Sequence, residues 1–302
     1  MKNYSIIALL VFMLGATLQA RPVVVKSPDG RIEATINTDK QLTWSVVSRG
    51  VTVLEASPLS MNFDNGVKAG KNMQGVKSQI RLVNQVLTPV VAVKNDRVPD
   101  HYNEAEISSR NGYSVLFRCY NDGVAYRFVT RFSKPVRVMD EEVRFLFSGD
   151  QATWFPEEES MFSHNEREYK DLKLSEIGND RLCSLPMMVR IADGPKVLIS
   201  EADLQDYPGL WLRGGKTAHT LQGLLSQVAL ETRQSGDRNV RVLRHADYLA
   251  ETQGARSYPW RYLIIAHADK QLIESEMTFK LASPCALKET SWIKPGKVAW
   301  DW

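Results

Sequence analysis

The chain has 302 residues, a formal charge of +3 and 24% charged residues. That balance excludes the basic excess of a nucleic-acid binder and the charge block of an acidic tail. Its three cysteines, Cys119, Cys183 and Cys285, are odd in number and lack zinc-site spacing, so they define neither a closed disulfide set nor a metal knot.

In chain order, residues 1–20 read as a secretory signal. Lys2 precedes an apolar run from Ile6 to Leu14, and the small residues Gly15, Ala16 and Ala20 follow. The run is too short to span a bilayer comfortably. Cleavage is expected between Ala20 and Arg21, leaving no membrane segment. No cysteine stands at that junction, which argues against a lipid anchor.

Strand and turn signals then alternate. Residues 31–37 alternate apolar and polar after a Pro-Asp-Gly turn at 28–30, and 42–47, 51–54 and 59–63 follow at hairpin spacing. Residues 66–75 read as a loop, 76–93 as extended and 96–103 as a polar connection. Three strong strands come next, at 104–108, 113–120 and 124–130. The last two are joined by Asn121, Asp122 and Gly123, a tight-turn signal. Cys119 sits in one of these runs and reads as a buried small hydrophobe. Residues 148–182 break the rhythm with Trp154, three successive acids (Glu157, Glu158 and Glu159), then His164, Glu166 and Glu168. A long irregular segment in a β domain is often functional or packs on a neighbour.

Regular strands resume at 185–191 and 196–199. The second ends in three carboxylates within six residues, Glu201, Asp203 and Asp206, before Tyr207, Pro208 and Gly209 turn the chain into a strand at 210–212. Acids at a strand end are commonly solvated turn residues. A rigid strand can equally hold one as a metal ligand or sugar contact. A polar stretch at 233–238 precedes 240–243, and 259–266 reads as a fully buried strand. Only 269–281 suggests a helix, with Leu272 and Met277 toward the core. No repeat or low-complexity break divides the chain. The expectation is an all-β fold, a large antiparallel sandwich with few short helices. The apolar, aromatic stretch 291–302, ending Trp-Asp-Trp, reads as the opening of a further strand at a domain junction.

Four phrases in order, at 120–128, 200–209, 252–261 and 293–302, together resemble glycoside hydrolase family 97, secreted bacterial α-glucosidases and α-galactosidases. The resemblance covers essentially the whole mature chain. It implies a galactose-mutarotase-like β-super-sandwich at 21–290, followed at 291–302 by a linker and the start of a catalytic β/α barrel. It also implies that this chain is the N-terminal domain alone and inactive by itself. The family's catalytic carboxylates come from barrel loops, so none is assigned here. The resemblance implies calcium beside an α-linked oligosaccharide in the complete enzyme, with Glu201 as this domain's one ligand and negligible affinity in the fragment. Asp203 and Asp206 are secondary candidates. It further implies a periplasmic location.

Two alternatives stay open, a free-standing carbohydrate-binding module and a subunit pairing with a separately encoded barrel. An exposed apolar patch at Trp292, Ile293, Val298, Trp300 and Trp302 would favour a packing domain, whereas an exposed aromatic cleft without it would favour the binding module. The remaining candidates have structural readings. Trp44, Trp154, Trp211 and Trp260 are more often core than sugar platforms. The acids at 157–159 are more often solvated than paired for acid–base work. His164 and Glu166 face either a cleft or solvent, and Arg261 either snorkels or pairs with an acid.

Overall fold

The computed structural model describes residues 21–300, leaving out 163, 164 and 238. The signal at 1–20, His164 and Trp302 therefore lie outside the described residues. Two large antiparallel sheets, of 11 and 10 strands among those residues, face each other. Across the first lie Val23–Lys26, Ile32–Asn37, Thr43–Ser48, Val51–Phe63, Val136–Leu146, Thr220–Leu224, Trp211–Gly214, Leu182–Cys183 and Glu157–Glu158. Across the second lie Lys170–Lys173, Ala152–Phe155, Met187–Arg190, Lys196–Ala202, Trp260–Ala266, Gly123–Arg131, Tyr113–Tyr120, Val98–Ser109 and Lys77–Leu87.

The alternation read from the sequence builds the core directly, because successive side chains of a strand point to opposite faces. Ile32, Ala34 and Ile36 turn inward from one sheet, and Val115, Phe117 and Cys119 from the other. Trp44 sits at the centre, with its ring centroid 5.4 Å from Tyr126, 6.0 Å from Phe117 and 6.4 Å from Phe145. Truncating a ring so placed costs about 3–5 kcal/mol. A second, smaller apolar layer covers the outer face of the second sheet, where Met277 and Leu281 pack over Tyr102, Tyr120, Trp260 and Tyr262.

Four local expectations change. The connection expected at 96–103 is largely strand, Val98–Ser109. Its buried row includes Asp100 and Glu104, whose polarity hides the alternation. Glu104 is ion-paired to Arg81 at 2.6 Å and Arg118 at 2.8 Å. The single helix expected at 269–281 is two, Asp269–Glu274 and Met277–Leu281, with Ser275 extended between them. Met277 is buried and Leu272 packs beside it, as read. The polar stretch at 233–238 belongs partly to an exposed hairpin, Ala229–Ser235 with Asn239–His245. Residues 148–182 contain short paired strands at Ala152–Phe155, Glu157–Glu158 and Lys170–Lys173.

The 113–131 hairpin forms as expected. Gly123 is required there by close approach, since a Cβ would overlap the Leu263 carbonyl of the adjoining strand. All three cysteines are free, and only Cys285 is exposed. No helix among the described residues is long and apolar enough to cross a membrane. Residues 291–300 carry no regular element, and Trp292, Val298 and Trp300 are 69%, 82% and 75% exposed.

Candidate functional site

The strand Lys196–Ala202 turns Val197 and Ile199 into the sandwich, and Glu201 is next in that phase. Its cross-strand partner is Arg261, which faces the same way and is 1% exposed. Glu141 meets them from the other sheet. Arg261 donates to Glu141 through two nitrogens, Nε to Oε1 at 3.2 Å and Nη2 to Oε2 at 3.1 Å, and through Nη1 to Glu201 Oε2. Two carboxylates thus share one buried guanidinium across the sandwich. Such a group tolerates burial only with its fork fully paired.

Of the three, Glu201 reaches the surface most, with a side chain 14% exposed against 4% for Glu141. Its Oε1 accepts the Leu210 N–H at 3.0 Å. Gly209 packs close beside it, where a Cβ would stand 3.3 Å from Oε1. Burial pushes the Glu201 carboxyl above its ordinary range, while Arg261 and the Leu210 N–H pull it partly back. Burial works against the Arg261 charge, but Glu141 and then Glu201 outweigh it and raise its pKa. Tyr207 lies buried beside the cluster, and burial followed by the Glu141 charge drives its phenol well upward.

The other two acids of the turn do different work. Asp203 and Asp206 have positive φ, 59° and 47°, a conformation aspartate tolerates. Asp203 accepts from Arg127 Nη2 and from the N–H and hydroxyl of Ser283, each at 3.0 Å, tying the turn to the segment after the last helix. Burial would raise its carboxyl, but the Ser283 bonds and Arg127 outweigh it and hold it low. Asp206 sits on the rim of a cleft of about 1150 Å³, walled by Arg144, Trp211, Arg213 and Gln222 and closed at one side by the 229–245 hairpin.

The acids at 157–159 are neither simply solvated nor paired with one another. Glu157 binds Arg181 and Lys170, and those contacts hold it down to about 2. Glu158 is buried and accepts from Arg167 and Ser184, both at 3.0 Å. Glu159 is open to solvent, with Arg167 3.6 Å away. Glu166 is exposed. Trp44 and Trp260 are core as expected, Trp211 is half-buried, and Trp154 is 38% exposed with the Arg190 guanidinium 5.4 Å from its ring. Glu141 was not singled out from the sequence. It falls in phase with Val143 and Phe145, which was a legible signal, but a register shift between Val138 and Asp140 breaks the run before it.

Calcium takes six to eight oxygens. Here Glu201 is one carboxylate, with both oxygens already accepting, and among the described residues no three His, Cys, Asp or Glu side chains converge. The described residues alone do not fit a calcium ion.

Residues 25–284 match the family model described as the glycosyl-hydrolase 97 N-terminal domain. The chain is 33% identical over 313 aligned residues to a retaining alpha-galactosidase of Bacteroides thetaiotaomicron, a match that takes in 100% of this chain and 47% of that protein. A solved glycoside hydrolase family 97 enzyme from a Pseudoalteromonas species, in complex with acarbose, matches with a TM-score of 0.75 at 23% identity. That match covers 91% of this chain and 40% of the enzyme. A crystal structure of a beta-arabinopyranosidase matches with a TM-score of 0.71 at 23% identity, covering 87% of this chain and 43% of that one. The chain spans under half the length of these relatives.

Proposed function

The chain belongs to glycoside hydrolase family 97, of which it is the N-terminal domain, and on that premise we propose that it packs against the catalytic barrel of a calcium-dependent α-glycosidase. The observation that carries this reading is that residues 25–284 match the family's N-terminal domain while the chain spans under half the length of its relatives. Trp292, Val298 and Trp300, in the irregular segment 291–300, are exposed, and Ile293 is half-buried. In the complete enzyme Glu201, aimed by Arg261, gives one oxygen to a calcium ion whose other ligands come from outside the residues described here. The substrate is an α-linked oligosaccharide, a glucoside or galactoside, and the catalytic carboxylates are not among this domain's residues. The export signal read at 1–20 supports a secreted, periplasmic enzyme.

The test is an assay of the purified chain on p-nitrophenyl α-galactoside and α-glucoside, with and without calcium. No turnover is expected in either condition, together with strong binding of a hydrophobic dye. Hydrolysis by the chain alone would overturn the reading and return catalytic candidacy to the acids at 157–168 and 201–206. A second reading, a carbohydrate-binding module, is favoured by one feature, the cleft that sets Trp211 beside Arg213 and Gln222. Saturable binding of an α-linked oligosaccharide by the chain, lost in Trp211→Ala, would select it.

A further inference from the structure

The strand Lys77–Leu87 ends the second sheet. Among the described residues it pairs only with Val98–Ser109, so its other edge is open. It is 11 residues long. The opposite end of that sheet, Lys170–Lys173, has four residues, and the ends of the first sheet, Val23–Lys26 and Glu157–Glu158, have four and two. Folded proteins keep open edges short, or blunt them with proline, a bulge or a charge, because a row of free N–H and C=O groups invites another strand. This edge has no proline, and its register with Val98–Ser109 is unbroken from end to end. One face of it, at Ser78, Ile80, Leu82, Asn84 and Val86, carries no charge, and its three apolar side chains stand exposed. On the other face Arg81 is ion-paired with Glu104, and Gln85 donates to Asp100 at 2.7 Å.

We propose that this edge pairs with the same edge of a second copy of the chain, antiparallel about a two-fold axis through Val83. Main-chain hydrogen bonds then join the two sheets, as when an added strand extends a sheet. A two-fold contact sets one patch against itself, so the strand must complement its own sequence. Centred on Val83, it does. Ile80 faces Val86 of the second copy, and Val86 faces its Ile80. Arg81 faces Gln85 of the second copy. Because Arg81 lies opposite Glu104 and Gln85 opposite Asp100, that rung runs Glu104, Arg81, then Gln85 and Asp100 of the second copy. The arginine thus has an acid on either side, and symmetry repeats the rung. No like charges meet, and apolar residues meet on the exposed face, the pairings that stabilise neighbouring strands. Residues 79–87 pair over roughly 30 Å. This charge order selects a second copy over an unrelated strand.

The test is sedimentation of the purified chain over a concentration series. A reversible monomer–dimer equilibrium in the micromolar range is expected. Ile80→Lys and Val86→Glu should each weaken the dimer about tenfold. The double variant Ile80→Lys/Val86→Glu should recover the parent's affinity. Its two new charges lie roughly 20 Å apart within one chain and meet only across the axis. Cysteine cross-linking fixes the register on a Cys285→Ser background. Val83→Cys should join two copies under mild oxidation. Gln79→Cys, whose copies would sit roughly 27 Å apart, should not. A chain that stays monomeric up to about 1 mM would overturn the proposal. So would association that Ile80→Lys leaves unchanged, which would assign it to another surface such as Trp292 and Trp300, or equal cross-linking by both cysteine variants. Should a charged variant not fold, the cysteine pair decides alone.

Discussion

Two acid-rich stretches of this chain look alike as text, 157–159 and 201–206, yet the fold uses them in opposite ways. Glu157 and Glu158 find their cations on the same excursion of chain, at Arg167, Lys170 and Arg181. Their pairs hold a loop to itself. Glu201 finds its cation on a neighbouring core strand, and that cation is shared with a carboxylate from the other sheet. What separates an acid that closes a loop from one presented by a scaffold is where the partner is anchored. A carboxylate aimed from the core keeps its geometry when the turn around it moves.

The largest effect should come from removing the shared cation. Arg261→Met leaves Glu141 and Glu201 buried without compensation and should cost roughly 3–5 kcal/mol in urea denaturation. A loss near zero would mean that the cluster is solvated. Asp203→Ala comes next, at about 2 kcal/mol for the bonds to a charged group. It should also speed proteolysis in the segment after Ser283, whose N–H and hydroxyl both bind Asp203. Glu201→Gln keeps the shape and leaves the two-nitrogen contact to Glu141 intact, so it should cost only about 1 kcal/mol. Glu157→Gln should be smaller at neutral pH, about 0.5 kcal/mol or less.

The pH dependence sharpens the contrast between the two stretches. Glu157 is held at about 2 against an ordinary 4.5, so its contribution is complete above 4.5 and is lost as pH falls toward 2. Glu157→Gln should flatten that acid limb. Glu201 is shifted upward from 4.5, so its contribution is complete below 4.5 and fades as pH rises through its raised folded value. Glu201→Gln should therefore change the profile on the other side of 4.5. Glu159→Gln, at an exposed side chain, should leave the denaturation midpoint where it is.

The sandwich was legible because its inner rows keep a period of two through Ile32 to Ile36 and Val115 to Cys119. It was illegible where polar residues take buried places. Asp100 and Glu104 disguised a strand as a connection, and the register shift before Glu141 hid the partner that explains Arg261. The pairing of Arg261 with an acid was open in the sequence, but which acids it meets is decided across the two sheets, at a separation of 120 residues for Glu141. Glu201 was named through a resemblance at its turn, and what the fold adds is the mechanism that holds it. Asp203 shows the reverse. Its place in an acidic turn suggested a ligand contact, whereas its oxygens are engaged with Arg127 and Ser283.

The most direct test of this account is a calorimetric calcium titration of the chain by itself. With one carboxylate, both of whose oxygens are engaged, no saturable heat should appear up to the millimolar range, and Glu201→Gln should titrate identically. A saturable site of micromolar affinity, abolished in Glu201→Gln, would contradict the claim that this domain presents a single ligand and depends on further elements to complete the site.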